Sequence, residues 1–297
     1  MDWLHTWLLD ENNKIQIGKG AQVVVDWLTG DLSGFFDTVS AVLGGAIDGL
    51  LYVLLGTFTE GTAVEAYYPF FMIAVFCLIS WLIRRHVGVV IFTALGMLLI
   101  YNQLYWTEAM ETLALVLAAT LVSMVIGVPL GILAARRAWF YTIMRPILDL
   151  MQTIPTFVYL IPALILFGLG AVSGLVATVI FAIPAPIRLT RLGIISTPPA
   201  LIEAAQAFGA APWQVLTKVE LPFALPQIMA GVTQTIMLSL SMVVIASMVG
   251  AAGLGALVQR ALGQMNVPMG FDSGMSIVIL AIVLDRTFKF FDEGETV

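Results

Sequence analysis

After position 66 the chain alternates between long apolar runs and short polar connections. Seven of these runs have about the 17 to 25 residues a helix needs to cross a bilayer: roughly 67–83, 87–104, 109–134, 147–169, 172–189, 227–249 and 274–290. One connection stands out. The stretch EAAQAFGAAPWQVLTKVELPFALP, 203–226, is long and polar between two spans. An eighth apolar run, FFDTVSAVLGGAIDGLLYVLLGTF at 35–58, carries Asp37 and Asp48 eleven residues apart, hence about 20° apart around a helix. An aspartate at mid-bilayer costs about 2.5 to 3.5 kcal/mol. A helix lying in the outer interface is therefore expected here, with an eighth span as the alternative.

Composition agrees. The chain is 60% hydrophobic and 11% charged, with a mean hydropathy of +0.99, which places it among polytopic membrane proteins. The charges set the topology. Arg84, Arg85, Arg136, Arg137, Arg145, Arg188, Arg191, Lys218, Arg286 and Lys289 all fall on one side of the seven spans, leaving Lys14, Lys19 and Arg260 on the other. Positive residues mark the cytoplasm, so the C-terminus and the 190–226 segment are expected inside and the acidic first 66 residues outside. The opening MDWLHTWLLDENNK lacks the basic start of a cleavable signal, and a retained N-terminus is expected. Cys77 is the single cysteine and His5 and His86 stand far apart, which leaves no disulfide or metal cluster.

Within the spans the polar positions are few. Gly127 and Gly131 are four apart with Pro129 between them, a spacing that lets two helix backbones approach closely. Gln152, Thr153 and Pro155 open the fourth span, with Pro162 on nearly the same face. Prolines free backbone carbonyls that must be buried in protein or face a water-filled route, so both a kinked structural helix and a path-lining helix fit. The sixth span carries Thr233, Gln234, Thr235, Ser239, Ser241 and Ser247 without a charge, as expected of a helix facing the bundle interior or a path. Gln152, Thr153, Pro155, Gln234, Ser239, Ser241 and Met242 are the candidate path residues. No phosphate-binding loop of the form Gly-x-x-x-x-Gly-Lys-Ser/Thr occurs, so an ATP site of that kind is not expected in this chain.

The polar connection reads as two short helices. Thr197 is a suitable N-cap with Pro198 at the first helical position, Gly209 stands where a left-handed residue ends the first helix, and Pro212 starts PWQVLTKVE, which Leu221-Pro222 is expected to close. Leu201, Ala204, Ala205 and Phe208 share a face made shallow by its alanines. An interfacial anchor and a docking surface both fit that pattern.

The spacing of Glu203-Ala204-Ala205, Gly209, Val219 and Leu221-Pro222 resembles the conserved cytoplasmic loop of permease subunits in ABC importers, with valine where isoleucine is usual. The resemblance runs from about 67 to 290. MQTIPTFVYLIPALILFGLG, IFAIPAPIRLTRLGI, IMAGVTQTIMLSLSMVVIASMVG and ILAIVLDR are similar to permeases of glycine betaine/proline betaine importers, with relatives that import choline. The resemblance implies an all-α polytopic protein of about seven transmembrane helices, with the type I importer (MetI-like) permease fold and cytoplasmic coupling helices. It implies a bacterial inner-membrane location, a second permease copy, two ATPase subunits that hold the ATP and Mg, a separate periplasmic substrate-binding protein, and no nucleic acid partner. The chain itself would be no enzyme. Glu203, Ala204, Ala205, Gly209, Val219, Leu221 and Pro222 would seat the ATPase. The implied organisation is an N-terminal region 1–66, two accessory helices within 67–107, a permease core 108–290 containing the loop 197–226, and a tail 291–297. A permease for an amino acid or sulfonate, a channel and a membrane scaffold are the alternatives.

Overall fold

The structure, a computed structural model, describes residues 17–59, 61 and 64–289. The expectations for His5, Lys14 and the tail 291–297 lie outside the described residues. Every described regular element is a helix. In chain order they are α1 (Ile17–Asp31), α2 (Ser33–Leu55), α3 (Tyr68–Arg84), α4 (Val87–Asn102), α5 (Trp106–Arg136), α6 (Ala138–Thr153), α7 (Thr156–Phe167), α8 (Ala171–Ala182), α9 (Pro184–Ile195), α10 (Pro199–Ala207), α11 (Pro212–Val215), α12 (Leu221–Ser247), α13 (Leu254–Gln264) and α14 (Val267–Phe288).

Six helical stretches among the described residues are long and apolar enough to cross a membrane: α2, α3 with the turn before it, α5, α8 joined to α9, α11 running through α12, and α14. The 16 residues of α4 span only about 24 Å at 1.5 Å per residue, short of a 30 Å hydrocarbon core. The expected span 147–169, for which a proline kink is one of the readings, is broken rather than gently kinked. The chain bends there by 99° between α6 and α7. Pro155 drives Ile154 out of the helical region to φ −65°, ψ 132°, because the proline ring crowds the preceding residue. On α2, Asp37 and Asp48 are both exposed, while Ile47 is buried against Leu115, Ala118 and Ala119 of α5.

α5 is the axis of the bundle, buried almost continuously from Ala109 to Ala119 and unbroken across Pro129. Its glycine pair does what the spacing predicts. A Cβ on Gly127 would stand 2.7 Å from Pro186 Cγ, and one on Gly131 would stand 2.7 Å from Thr190 Cβ and 2.8 Å from the Ile187 carbonyl. α5 and α9 therefore meet backbone to backbone. Further along α9, a Cβ on Gly193 would stand 2.9 Å from Ala224 Cβ of α12. Lipid supplies no hydrophobic drive for helices to associate, so close van der Waals packing through small residues takes its place.

α3 and α4 form a hairpin on this core. Met97 and Ile100 of α4 pack with Met110 and Leu113 of α5 and Leu280 of α14, and the buried Ser80 hydroxyl meets Thr287 at 2.9 Å and Thr93 at 3.4 Å. These hydroxyls would be unsatisfied in hydrocarbon, so pairing them ties α3 and α4 to α14. The segment 250–273 lies between the expected sixth and seventh spans. It contains α13, whose buried first N–H, at Leu254, is taken by Thr112 Oγ1 of α5 at 2.9 Å.

Candidate functional site: the loop between α9 and α12

The loop begins one residue later than its capping pattern predicts. Pro198, in an extended conformation at φ −57°, ψ 131°, is the N-cap and Pro199 opens α10. Thr197 is buried with its hydroxyl unpartnered rather than capping the helix. Two consecutive prolines explain the shift. The ring of Pro199 disfavours the helical region for Pro198, so the helix can start only at the second of them. The other end follows the pattern. Gly209 has φ 79°, its N–H reaches the Gln206 carbonyl at 2.9 Å, and the Ala210 N–H reaches Ala205 at 3.0 Å. This pair of bonds satisfies the last carbonyls of α10, and the left-handed residue between them favours glycine.

The second helix starts with Ala211 extended as N-cap and Pro212 at the first position. Gln214 Oε1 accepts the Ala211 N–H at 2.8 Å, the half of a capping box in which the third residue reaches back. The expectation that Leu221-Pro222 ends this helix is corrected. From Pro212 the helix runs on to Ser247 as one 36-residue stretch. Pro222 has no N–H to give to the carbonyl four residues back. The chain absorbs this by widening over Leu216–Glu220 into a π turn, in which the Leu221 N–H bonds the Leu216 carbonyl five residues back.

Two ion pairs and a stacked cation hold the surroundings. Arg136, the last residue of α5, pairs with Glu220 at 2.6 Å, and the Glu220 side chain is only 8% exposed. Arg188 of α9 pairs with Asp149 of α6 at 2.6 Å, and the Arg191 guanidinium lies 3.5 Å from the centre of the Tyr141 ring. These contacts fix the root of the loop to α5 and clamp α6 on α9. Sequence reasoning missed all three, since the partners are 84, 39 and 50 residues apart (Arg136–Glu220, Asp149–Arg188, Tyr141–Arg191) and no local pattern pairs them.

Between α10 and the second helix lies a hollow of about 370 Å³, with Ala205, Phe208 and Gly209 on one side and Gln214, Lys218 and Val219 on the other. Of the seven predicted loop residues the structure brings Ala205, Gly209 and Val219 together there. Glu203 and Ala204 are exposed on the same helix, Leu221 is half-buried and Pro222 exposed at the start of α12. Phe208 is 93% exposed and Trp213 64%. Two large aromatic side chains held in the open, Phe208 on the wall of the hollow and Trp213 next to Gln214 in the chain, form a surface suited to another protein.

The candidate path residues do not share one environment. Gln152, Thr153 and Pro155 are exposed at the α6–α7 bend, and Gln234 and Ser241 are exposed along α12. Ser239 and Met242 are each 1% exposed, and Met242 packs with Tyr159, Leu160 and Ala163 of α7. Helical angle separates them: residues 234 and 241 lie within about 20° of each other around α12, with 239 about 140 to 160° away and 242 about 80 to 100° away. Among the described residues no group of three or more His, Cys, Asp or Glu could hold a metal ion.

A family model described as the binding-protein-dependent transport system inner membrane component matches residues 127–291. The chain belongs to that family: it is a multi-pass inner-membrane permease subunit of ABC importers. It is similar along nearly its whole length to the glycine betaine/carnitine transport permease protein of Listeria monocytogenes, 45% identical over 94% of this chain and 96% of the relative. It is also 46% identical to the glycine betaine transport system permease protein of Bacillus subtilis, over 94% and 95%, and 45% identical to the glycine betaine/proline betaine permease protein ProW of Escherichia coli, over 96% and 80%. A chain of the methionine ABC transporter MetNI in an inward-facing conformation matches with a TM-score of 0.55 and 26% identity, covering 62% of this chain and 90% of that one. The expected all-helical importer permease fold is borne out.

Proposed function

We propose that this chain forms, as a pair of copies, the membrane path of an importer for glycine betaine or a closely related quaternary amine, driven by two separate ATPase subunits and fed by a separate binding protein on the outer face. The substrate reading rests on near full-length identity to permeases named for glycine betaine. The coupling reading rests on one structural observation. The hollow beside Phe208 and Gly209 is walled on its other side by Gln214, Lys218 and Val219 of a helix that continues without a break into α12. An ATPase seated there moves α12 directly when the two ATPase subunits close, and the ATP and Mg²⁺ belong to those partners. Glu203, Ala204, Ala205, Gly209, Val219, Leu221 and Pro222 form the seat. The exposed Gln152, Thr153, Gln234 and Ser241 are uncharged, as suits a path that passes a net-neutral zwitterion without holding it.

We also propose the organisation read from the sequence: accessory helices within 67–107, a core from 108 to 290, the N-terminus outside and the loop inside. Protease accessibility of an N-terminal tag in sealed vesicles tests the orientation. A cytoplasmic tag would make α2 an eighth span and overturn its interfacial placement. The function is tested by ATP-driven uptake of labelled glycine betaine, carnitine and choline into liposomes holding the assembled complex. Uptake of glycine betaine is expected. Transport of an amino acid or a sulfonate with none of the three would overturn the substrate assignment, and passive flux without the ATPase would make the chain a channel.

A further inference from the structure

Asp285 is an acid inside α14, one of the helical stretches long and apolar enough to cross a membrane. Carboxylates in such helices are costly, and as a rule they face the bundle interior or a water-filled cavity and mark the route of a ligand. Asp285 is half-buried, and among the described residues its carboxylate takes part in no ion pair. Arg286, its neighbour in the chain, is exposed and stands about 100° away around the helix. What Asp285 borders is a cavity of about 300 Å³ between α12 and α14, lined also by Pro226, Met229, Ala230, Gln234 and Lys289. That volume lies at the lower end of small-ligand pockets, which run from about 300 to 1,000 Å³. Gln234 joins the cavity to the path proposed above. On the orientation proposed there, the last turn of α14 and the N-terminal half of α12 place it toward the inner end of that path.

We propose that this cavity is a weak station for the substrate, at which the Asp285 carboxylate faces the trimethylammonium head of glycine betaine or a related quaternary amine. The inference rests on the import reading above and names a fixed charge at the inner end of an otherwise uncharged path. The chemistry of the walls selects this class of cation. A quaternary ammonium has no N–H and asks for no hydrogen bonds. Its charge is spread over methyl groups that pack on apolar surface, and one carboxylate balances it. Pro226, Ala230 and the polarisable Met229 supply the surface, and Asp285 supplies the charge. A small hard cation such as Ca²⁺ takes about six to eight oxygen ligands. The oxygen-bearing side chains here are Asp285, Gln234 and Thr233, and the Thr233 hydroxyl already donates to the Met229 carbonyl at 3.3 Å. Lys289, one turn beyond Asp285, borders the same cavity, and its positive charge suits an amine that carries its own carboxylate.

The test is saturation-transfer NMR on the full chain in nanodiscs of phosphatidylethanolamine and phosphatidylglycerol, with no binding protein, following the methyl signal of glycine betaine as it is titrated in. The comparison ligand is tert-butylacetate, which has the same shape with carbon in place of the charged nitrogen. Glycine betaine is expected to bind and the analogue to bind far more weakly. Asp285→Asn should weaken glycine betaine binding about fivefold to tenfold, the effect of one charge–charge contact near water, and Asp285→Glu should restore most of it. Ala230→Phe, which fills the cavity from an exposed position, should weaken binding at least as much with Asp285 intact. Equal binding of the two ligands, parental binding by Asp285→Asn, or no loss in Ala230→Phe would each overturn the proposal. ATP-driven uptake by the unmodified complex separates it from the import reading. Uptake of glycine betaine without the Asp285 effect removes this station alone, and no uptake removes both.

Discussion

The face that α5 turns to α9 and the loop between α9 and α12 are both built from small residues, for opposite reasons. At Gly127 and Gly131 the space a side chain would need is already taken by Pro186, Thr190 and a carbonyl of α9. At Gly209 nothing lies within 4 Å of where a Cβ would stand, and the neighbouring Phe208 and Trp213 project into the open. In the first region smallness is consumed by folding. In the second it leaves an open surface, and on the proposed coupling a substitution should cost stability in one place and coupling in the other.

The largest effect is expected at Gly131→Leu. The new side chain meets a backbone carbonyl that cannot withdraw, and the fold should lose about 3 kcal/mol or more, read as a lowered unfolding temperature in detergent. A variant as stable as the parent would show that the α5–α9 contact is looser than described. Next comes Arg136→Ala, which leaves Glu220 almost buried without its partner. The expected cost is about 2 to 3 kcal/mol, below the figure for a fully buried pair because the Arg136 side chain is 35% exposed. Adding Glu220→Gln should recover part of it, and a thermal comparison of the single and double variants checks this.

Gly209→Val crosses from one side of the comparison to the other. Its penalty is confined to the positive-φ turn, about 1 kcal/mol, and the transmembrane core should unfold at nearly the parent temperature while ATP-driven uptake fails. Normal uptake by this variant would remove the loop from the coupling role. The smallest effect on stability belongs to Phe208→Ala, within about 0.5 kcal/mol for an exposed position, yet copurification of the ATPase partner should fall. If the partner is retained in full, Phe208 is not part of the seat.

Much of this was legible in the sequence. The apolar runs located helices at each expected span, the glycine pair on α5 announced a close contact, and Gly209 announced its left-handed turn. These signals are local and act through backbone sterics or through the bilayer's demand for apolar length. What escaped was set by proline context or by tertiary pairing. The Pro198-Pro199 step moved the helix start, the kink that the prolines of the fourth span allow reached 99° at Pro155, and Pro222 produced a π turn where a break was expected. Proline constrains the residue before it and the carbonyl behind it, and which of these yields depends on packing that a single sequence does not display. The split of the path residues has the same origin. The polar side chains on the sixth span looked alike in sequence, and only the tertiary arrangement, which packs Met242 on Tyr159 and Leu160 of α7, shows that Ser239 and Met242 are buried while Gln234 and Ser241 are exposed.

The unbroken helix from Pro212 to Ser247 has a mechanical meaning. Thirty-six residues make a rod of about 54 Å, and tilting such a rod by about 10° at one end displaces the other by about 9 Å. On the proposed coupling, the π turn at Leu216–Glu220, pinned to α5 through Glu220 and Arg136, would be the fulcrum: a short arm of a few residues outside the bundle would drive a long arm through it, and the amplitude of the stroke would be set by where along the rod that pin stands.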